Sequence, residues 1–334
     1  MAVNETFASL SDSGFQAALA GYVVALGCYA VEFASKRTTT VHTAERVPVG
    51  VGALTADGTP GGRPVVPTAG GNGIGLVTKE QRGLPWAERF GRAGFVVTVI
   101  ALVANIFSML MRGLATERMP LGNLYEFMSM ICTVGTAALV VVIVRTNART
   151  IGMFVMLPIA LLAILSGTVL YVPAGELMAS LNNYWLVIHV TAISISSGVL
   201  LFSGIASVLY LIRERGDRQG KVFQETSVWA KLPTTDALDR IAYRTAIIAF
   251  PVYTFAVVAG ALWAEVAWGR YWGWDPKEIG AFMTWVVYAC YLHARATAGW
   301  RGRRAAWISM LGFATVIFNL FFVNFVTTGL HSYA

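Results

Sequence analysis

Eight stretches of this chain are long and apolar enough to cross a bilayer, and they limit what it can fold into more than any other feature. They are residues 14–34, 93–111, 124–144, 151–171, 185–212, 243–265, 279–297 and 306–327. A spanning helix needs about 20 mostly apolar residues. In hydrocarbon every backbone N–H and C=O must be paired within the protein, so such segments are helices. Composition agrees: 56% of the residues are hydrophobic and 13% charged, against about 25% charged in an ordinary soluble domain. The fold expected is an all-α integral membrane protein with eight transmembrane helices. Residues 1–13 contain Glu5 and Asp12 but no Lys or Arg. The basic start of a signal peptide is therefore missing, and the first apolar stretch reads as a retained span.

The basic residues fix an orientation. Loop 35–92 carries eight Lys and Arg, loop 145–150 two, segment 213–244 seven and run 295–304 four, 21 in all. The opposite side has only Arg112, Arg118, Arg270 and Lys277. By the positive-inside rule the rich side is cytoplasmic and both termini lie on the outer, extracytoplasmic side. The net charge of +7 is thereby accounted for by topology, and nucleic-acid binding has no support. Residues 1–92 read as a first transmembrane helix plus a Gly-, Pro- and Thr-rich, largely disordered cytoplasmic loop, and residues 93–334 as the main membrane domain. Gly71–Gly75 resembles a dinucleotide fingerprint only superficially, because no βαβ pattern surrounds it. Residues Thr235–Arg240 suggest a short surface helix. Cys28, Cys132 and Cys290 lie singly in apolar runs, with no C-x-x-C. They read as small apolar filler, which argues against a thiol oxidoreductase.

Segment 260–278 stands apart. Trp263, Trp268, Trp272 and Trp274 fall within twelve residues, with Tyr271 among them. An interfacial aromatic belt needs fewer. Gly269 and Gly273 interrupt the cluster, and glycine allows close backbone approach to a ligand. Aromatic faces offer rigid apolar area for stacking on a planar macrocycle. A belt and a platform for a flat ligand both remain open on these facts alone. Asp275-Pro276-Lys277-Glu278 reads as a capping box opening the seventh span, so Asp275 and Glu278 are helix-start residues rather than acid/base catalysts.

Histidine is costly inside a membrane and usually has a task there. His189 lies four residues beyond Trp185 in the first turns of the fifth span, and His331 follows the eighth. Both fall at the outer end, at the depth of the Trp segment. Two neutral imidazoles beside an aromatic platform suit axial ligation of a haem iron. His293 lies 14 residues past Ile279, about 21 Å down the helix, too deep to share that iron. His42 falls in the inner loop and reads as incidental. A bis-His site at the depth of His293 would need its second ligand from another polypeptide.

At this point the residues resemble a known family. The run A-W-G-R-Y-W-G-W-D-P-K-E, the stretch Trp285–His293 and the ending Gly329-Leu-His331 resemble the CcsA (ResC) cytochrome c biogenesis proteins, labelled CcsB in some bacterial genomes. Asn123-Leu-Tyr125-Glu126, Tyr184–His189 and Leu238–Arg244 match further. The likeness runs from about residue 90 to the C-terminus. The W-D-P-K-E ending fits CcsA better than the related haem-handling proteins CcmC and CcmF.

The resemblance implies a holocytochrome c synthase (haem lyase) subunit of system II, active with a ResB/CcsB-type partner in the bacterial cytoplasmic membrane. Haem b would pass to the outer Trp-rich (WWD) segment. There the two thiols of an apocytochrome c C-x-x-C-H motif, kept reduced by thiol-reducing proteins, would add to its vinyl groups. Carried over by position, His189 and His331 match the outer iron ligands. His293 matches a membrane haem ligand whose second partner lies on the other subunit. Trp263, Trp268, Tyr271, Trp272, Trp274 and Asp275 match the haem-binding motif. The competing expectations are a haem exporter or chaperone without attachment activity, and a structural subunit whose Trp cluster is an interface belt.

Overall fold

The apolar runs fold as helices. The computed structural model describes residues 3–35, 85–146, 148–177, 181–221, 227–297, 299–327 and 329, and no strand occurs among them. In chain order the helices are α1 (Glu5–Ser35), α2 (Pro85–Thr116), α3 (Leu124–Thr146), α4 (Thr150–Thr168), α5 (Tyr184–Arg218), α6 (Val228–Lys231), α7 (Thr235–Trp268), α8 (Pro276–Ala296) and α9 (Arg303–Phe325). The expected cytoplasmic loop lies mostly outside the described residues, as do His42 and His331.

Local chemistry sets the boundaries. Asn123 Oδ1 accepts from the Glu126 amide at 2.9 Å at the start of α3, and Asn183 Oδ1 accepts from the Trp185 amide at 2.8 Å at the start of α5. These side chains satisfy amides that a helix start leaves without an intrahelical acceptor. Thr234 caps α7 in the same way, through Ala237. Residues Thr235–Arg240 are therefore the first turns of α7 and not a separate surface helix. The fully buried Leu238, packed with Phe33, Leu209 and Leu232, holds them in register with the bundle. The short separate helix is α6, a few residues earlier.

Among the described residues, seven helices are long and apolar enough to cross a membrane: α1, α2, α3, α4, α5, α7 and α9. The eighth expected span, α8, is 21 residues long but carries Lys277, Glu278, His293 and Arg295, which lower its mean hydropathy. Its ends nevertheless show its course. Arg270, just past the end of α7, lies 3.6 Å from Glu278 in the first turn of α8. Arg295, in its last turn, lies 2.6 Å from Asp239 in the second turn of α7 and over the Tyr243 ring. So α8 runs back antiparallel beside α7.

Two large packed clusters fill most of the bundle. Phe15, Tyr22 and Tyr29 of α1 meet Tyr125 and Met128 of α3, Ile159 of α4 and Phe202 of α5. Leu200 of α5, Ala246 and Tyr253 of α7, Tyr288 and Tyr291 of α8 and Ala305 of α9 form the second. In lipid, association rests on close packing and interhelical hydrogen bonds rather than on burial of apolar area. Such bonds are present: Asn105 donates to Tyr22 Oη at 3.1 Å, and Ser203, Ser207 and Ser309 form a buried hydroxyl cluster joining α5 to α9. Val96, Ile100, Val103 and Leu110 of α2 are exposed, as lipid-facing residues must be.

Candidate functional site

One end of the bundle opens into a cavity. It lies where α3, α5 and α8 begin and α7 and α9 finish. Its empty volume, mouth included, is about 1390 Å³. Phe127, Val190, Ile193, Val257, Val316 and Leu320 give it a mainly apolar lining. Asn123, Ser197, Glu278, Asn319 and Asn324 also line it, and His189 and Lys277 are the chemically distinctive polar groups.

His189 is held by α7. Its Nδ1 lies 2.8 Å from the Ala256 carbonyl oxygen. A carbonyl can only accept, so Nδ1 carries the hydrogen, and the neutral imidazole keeps its basic lone pair on Nε2. Fixing one ring nitrogen in this way orients metal-binding histidines and raises their basicity. Glycine makes the approach possible. A Cβ on Gly260 would sit 2.7 Å from both Cε1 and Nδ1 of His189, closer than real contacts allow. The ring of Trp263 lies parallel to the imidazole, at 7° with centroids 6.1 Å apart.

The Trp segment divides into distinct environments. Trp263 is 2% exposed inside α7, packed with Leu181 and Leu186, and Trp268 meets it edge-on at 4.7 Å. Trp272 and Tyr271 line the cavity. Trp274 is 63% exposed and stands nearly perpendicular to Trp272, at 88°. The four rings therefore do not form one continuous flat face. The glycines, expected to admit a ligand, have structural duties. Gly269 ends α7 in the left-handed conformation, with φ 68°, its amide donating to Glu265, a common helix stop. Gly273 leaves room for the Arg270 guanidinium, which overlies it. Trp274, with φ 59°, adopts a conformation strained for a bulky residue.

Asp275 and Glu278 form the expected capping box, with Pro276 at the first helical position. Glu278 Oε2 accepts from the Asp275 amide at 3.0 Å and from the Gly273 amide at 2.8 Å. Glu278 thus ties the Trp-bearing loop to α8. Gly329 packs against Asp275, since a Cβ there would be 2.5 Å from Asp275 Oδ1. His331, two residues on, lies outside the described residues.

Two arrangements had no clear signal in sequence. Lys277, ahead of the apolar stretch of α8, donates to Asn324 Oδ1 at 2.5 Å and to the Asn319 carbonyl oxygen at 3.4 Å. All three residues line the cavity. The signal available was the pair Asn319 and Asn324 inside an apolar run. The second arrangement centres on Glu126, 1% exposed, whose carboxylate meets Arg112 at 2.7 Å and Arg118 at 2.9 Å and accepts from the Gly122 amide at 2.7 Å. Arg112 also reaches Val172 O, and Arg118 the carbonyl of Gly175. This network anchors the connection between α4 and α5 beside the cavity.

His293 sits elsewhere. It is exposed, in line with Ile279, Phe282, Met283, Val286 and Cys290 on the outward face of α8. It lies two residues before Arg295, at the far end from the cavity. Chemically, the cavity end offers an oriented imidazole, apolar and aromatic walls, and a cation. That donor set fits haem, an apolar disc with an iron to ligate and carboxylates at one edge.

The family described as Cytochrome C assembly protein matches residues 121–331. Cytochrome c biogenesis protein CcsA of Guillardia theta is 34% identical over 258 residues, covering 72% of this chain and 85% of that protein. CcsA of Gloeobacter violaceus is 32% identical over 302 residues, covering 75% and 88%. The solved structure of Cytochrome c Heme Lyase CcmF superposes with a TM-score of 0.54 at 15% identity, covering 96% of this chain and 47% of that one. The chain thus spans about half of CcmF, and the likeness is one of fold.

Proposed function

The chain belongs to the CcsA-type cytochrome c assembly family, and from that premise we propose that it holds haem b in the cavity and presents it for thioether attachment to apocytochrome c. The observation that carries this reading is the His189 imidazole, oriented by Ala256 in an apolar cavity that Trp263 and Trp272 also line. His189 Nε2 would be one axial ligand. His331 would be the other, since residue 329 already packs at the start of α8 beside the cavity. Two imidazoles would keep the iron low-spin and set its redox poise. Trp272 and Tyr271 would bound the macrocycle, while Trp263 and Trp268 would support His189 from behind. Asp275 would act on haem only through the loop it caps.

The chain's residues position and the cofactor supplies the reactivity. Each apocytochrome thiol adds across one vinyl group, its sulfur to one carbon and its hydrogen to the other, so nothing leaves. The contribution of the cavity is to hold the vinyl edge where the thiols arrive. The apocytochrome histidine would then replace His189 or His331 and release the product.

We read α8 as the eighth span, because it retraces α7 from Glu278 to Arg295. With eight spans and the observed charge bias, both termini and the cavity face outward from the bacterial cytoplasmic membrane. His293, directed away from the bundle, would ligate haem deeper in the membrane together with a ResB/CcsB-type partner. Reconstitution of the purified chain and such a partner with haem and reduced apocytochrome c tests the reading. Thioether-linked product is expected, and lost with His189→Ala plus His331→Ala. Release of haem without thioether formation would instead make the protein an exporter.

A further inference from the structure

The cavity's cation makes no close ion pair with a described residue, Asp275 acting on it only at longer range. Lys277 Nζ is held by two neutral acceptors, Asn324 Oδ1 and the Asn319 carbonyl. Asn324 is itself fixed, through Nδ2, to the Leu320 carbonyl oxygen at 2.5 Å. Of the nearby carboxylates, Glu278 is committed to Arg270 and to the amides of Gly273 and Asp275, and Asp275 to the helix cap. No carboxylate of a described residue lies within 4.0 Å of Nζ. An ammonium has three donors, and the two Asn contacts use two of them. Asn319 Oδ1, buried on the same wall, has no hydrogen-bond partner among the described residues. A cation in a mainly apolar cavity is costly until an anion joins it.

We propose that Lys277 anchors a carboxylate of the bound ligand and thereby sets which edge of that ligand enters the cavity first. The proposal rests on the haem reading, on which the carboxylate is a propionate. The propionates of haem lie on the edge away from its vinyl groups. Anchoring a propionate at the α8–α9 wall therefore turns the vinyl edge away from that wall. Lys277 is on this view a positioning and specificity residue, while His189 holds the iron.

The test is optical titration of the purified full-length chain in detergent with two probes, haem and its dimethyl ester, which lacks the carboxylate charges. The wild-type chain is expected to bind haem at least about tenfold more tightly than the ester. Lys277→Gln should remove that preference by weakening haem alone, and Lys277→Arg should largely restore it. Asn324→Asp, which supplies an internal counter-ion, should lower haem affinity without affecting the ester. This second variant keeps the test valid should Lys277→Gln fail to fold. Equal affinity of the wild type for both probes, or an unchanged preference in Lys277→Gln and Asn324→Asp, overturns the anchor but leaves the haem reading standing. Failure of the wild type to bind either probe overturns both.

Discussion

His189 on α5 donates its Nδ1 hydrogen to the Ala256 carbonyl on α7, 67 residues away in sequence, at 2.8 Å. The bond fixes both the rotation of the ring and its tautomer, and it fits only because Gly260 presents no side chain beneath the imidazole. A histidine that would otherwise sample several rotamers is thereby held in one orientation, as the proposed ligand role requires.

Gly260→Ala isolates this relationship. In a plain helix the change would be mildly stabilising, because alanine is the better helix former. Here its Cβ would press on His189, at an overpacking cost of about 1–3 kcal/mol. The expected result is a chain that still inserts and folds, with haem affinity reduced about tenfold or more, measured by absorbance titration.

The tryptophans should separate by environment. Trp263→Ala removes a fully buried ring that backs His189 and should lower stability in detergent by about 3 kcal/mol or more. Trp274→Gly removes an exposed ring and relieves a strained left-handed backbone. It should raise the melting temperature slightly, by the equivalent of about 1 kcal/mol, while reducing cytochrome c yield. Thermal melts of the two purified variants check the contrast.

Glu126→Gln should be among the most damaging single-atom changes outside the cavity. It leaves Arg112 and Arg118 facing each other without their shared carboxylate. Removing one partner of a buried ion network costs about 3–5 kcal/mol. The expected outcome is poor accumulation in the membrane, read by immunoblot, with restoration on replacing both arginines by uncharged residues.

Lys277 gives the cavity a pH dependence. Only its charged ammonium attracts a carboxylate. Asp275, Glu278 and Arg270 are the neighbouring charged groups, and the latter two are already paired with each other. Haem affinity should therefore fall once the pH is high enough to deprotonate Lys277, whereas affinity for the dimethyl ester should not change.

The sequence carried the helices and their caps well, because both signals are local. Runs such as 124–144 lie within a few residues of α3, and the Asp275–Glu278 box appears as read. The first turns of α7 escaped because Leu238 is buried by Phe33, Leu209 and Leu232, contacts that no local window contains. Hydropathy marks α8 less clearly than the other spans, since Lys277 and Glu278 line the cavity and Arg295 pairs with Asp239 of α7. The candidate site was legible as a collection of residue types near one end of the bundle. Its division of labour was not. The burial of Trp263, the seat of His189 on Gly260 and the Lys277–Asn324 contact all depend on helices brought together from distant parts of the chain.

The central claim is that His189 ligates haem iron, and imidazole rescue of a cavity variant tests it most directly. His189→Gly leaves space for free imidazole without supplying a ligand. In the full-length chain copurified with a ResB-type protein, the variant should lose the low-spin absorbance spectrum of the outer haem, and millimolar imidazole should restore it along with cytochrome c synthesis. A variant whose spectrum and synthesis match the wild type without imidazole would contradict the account.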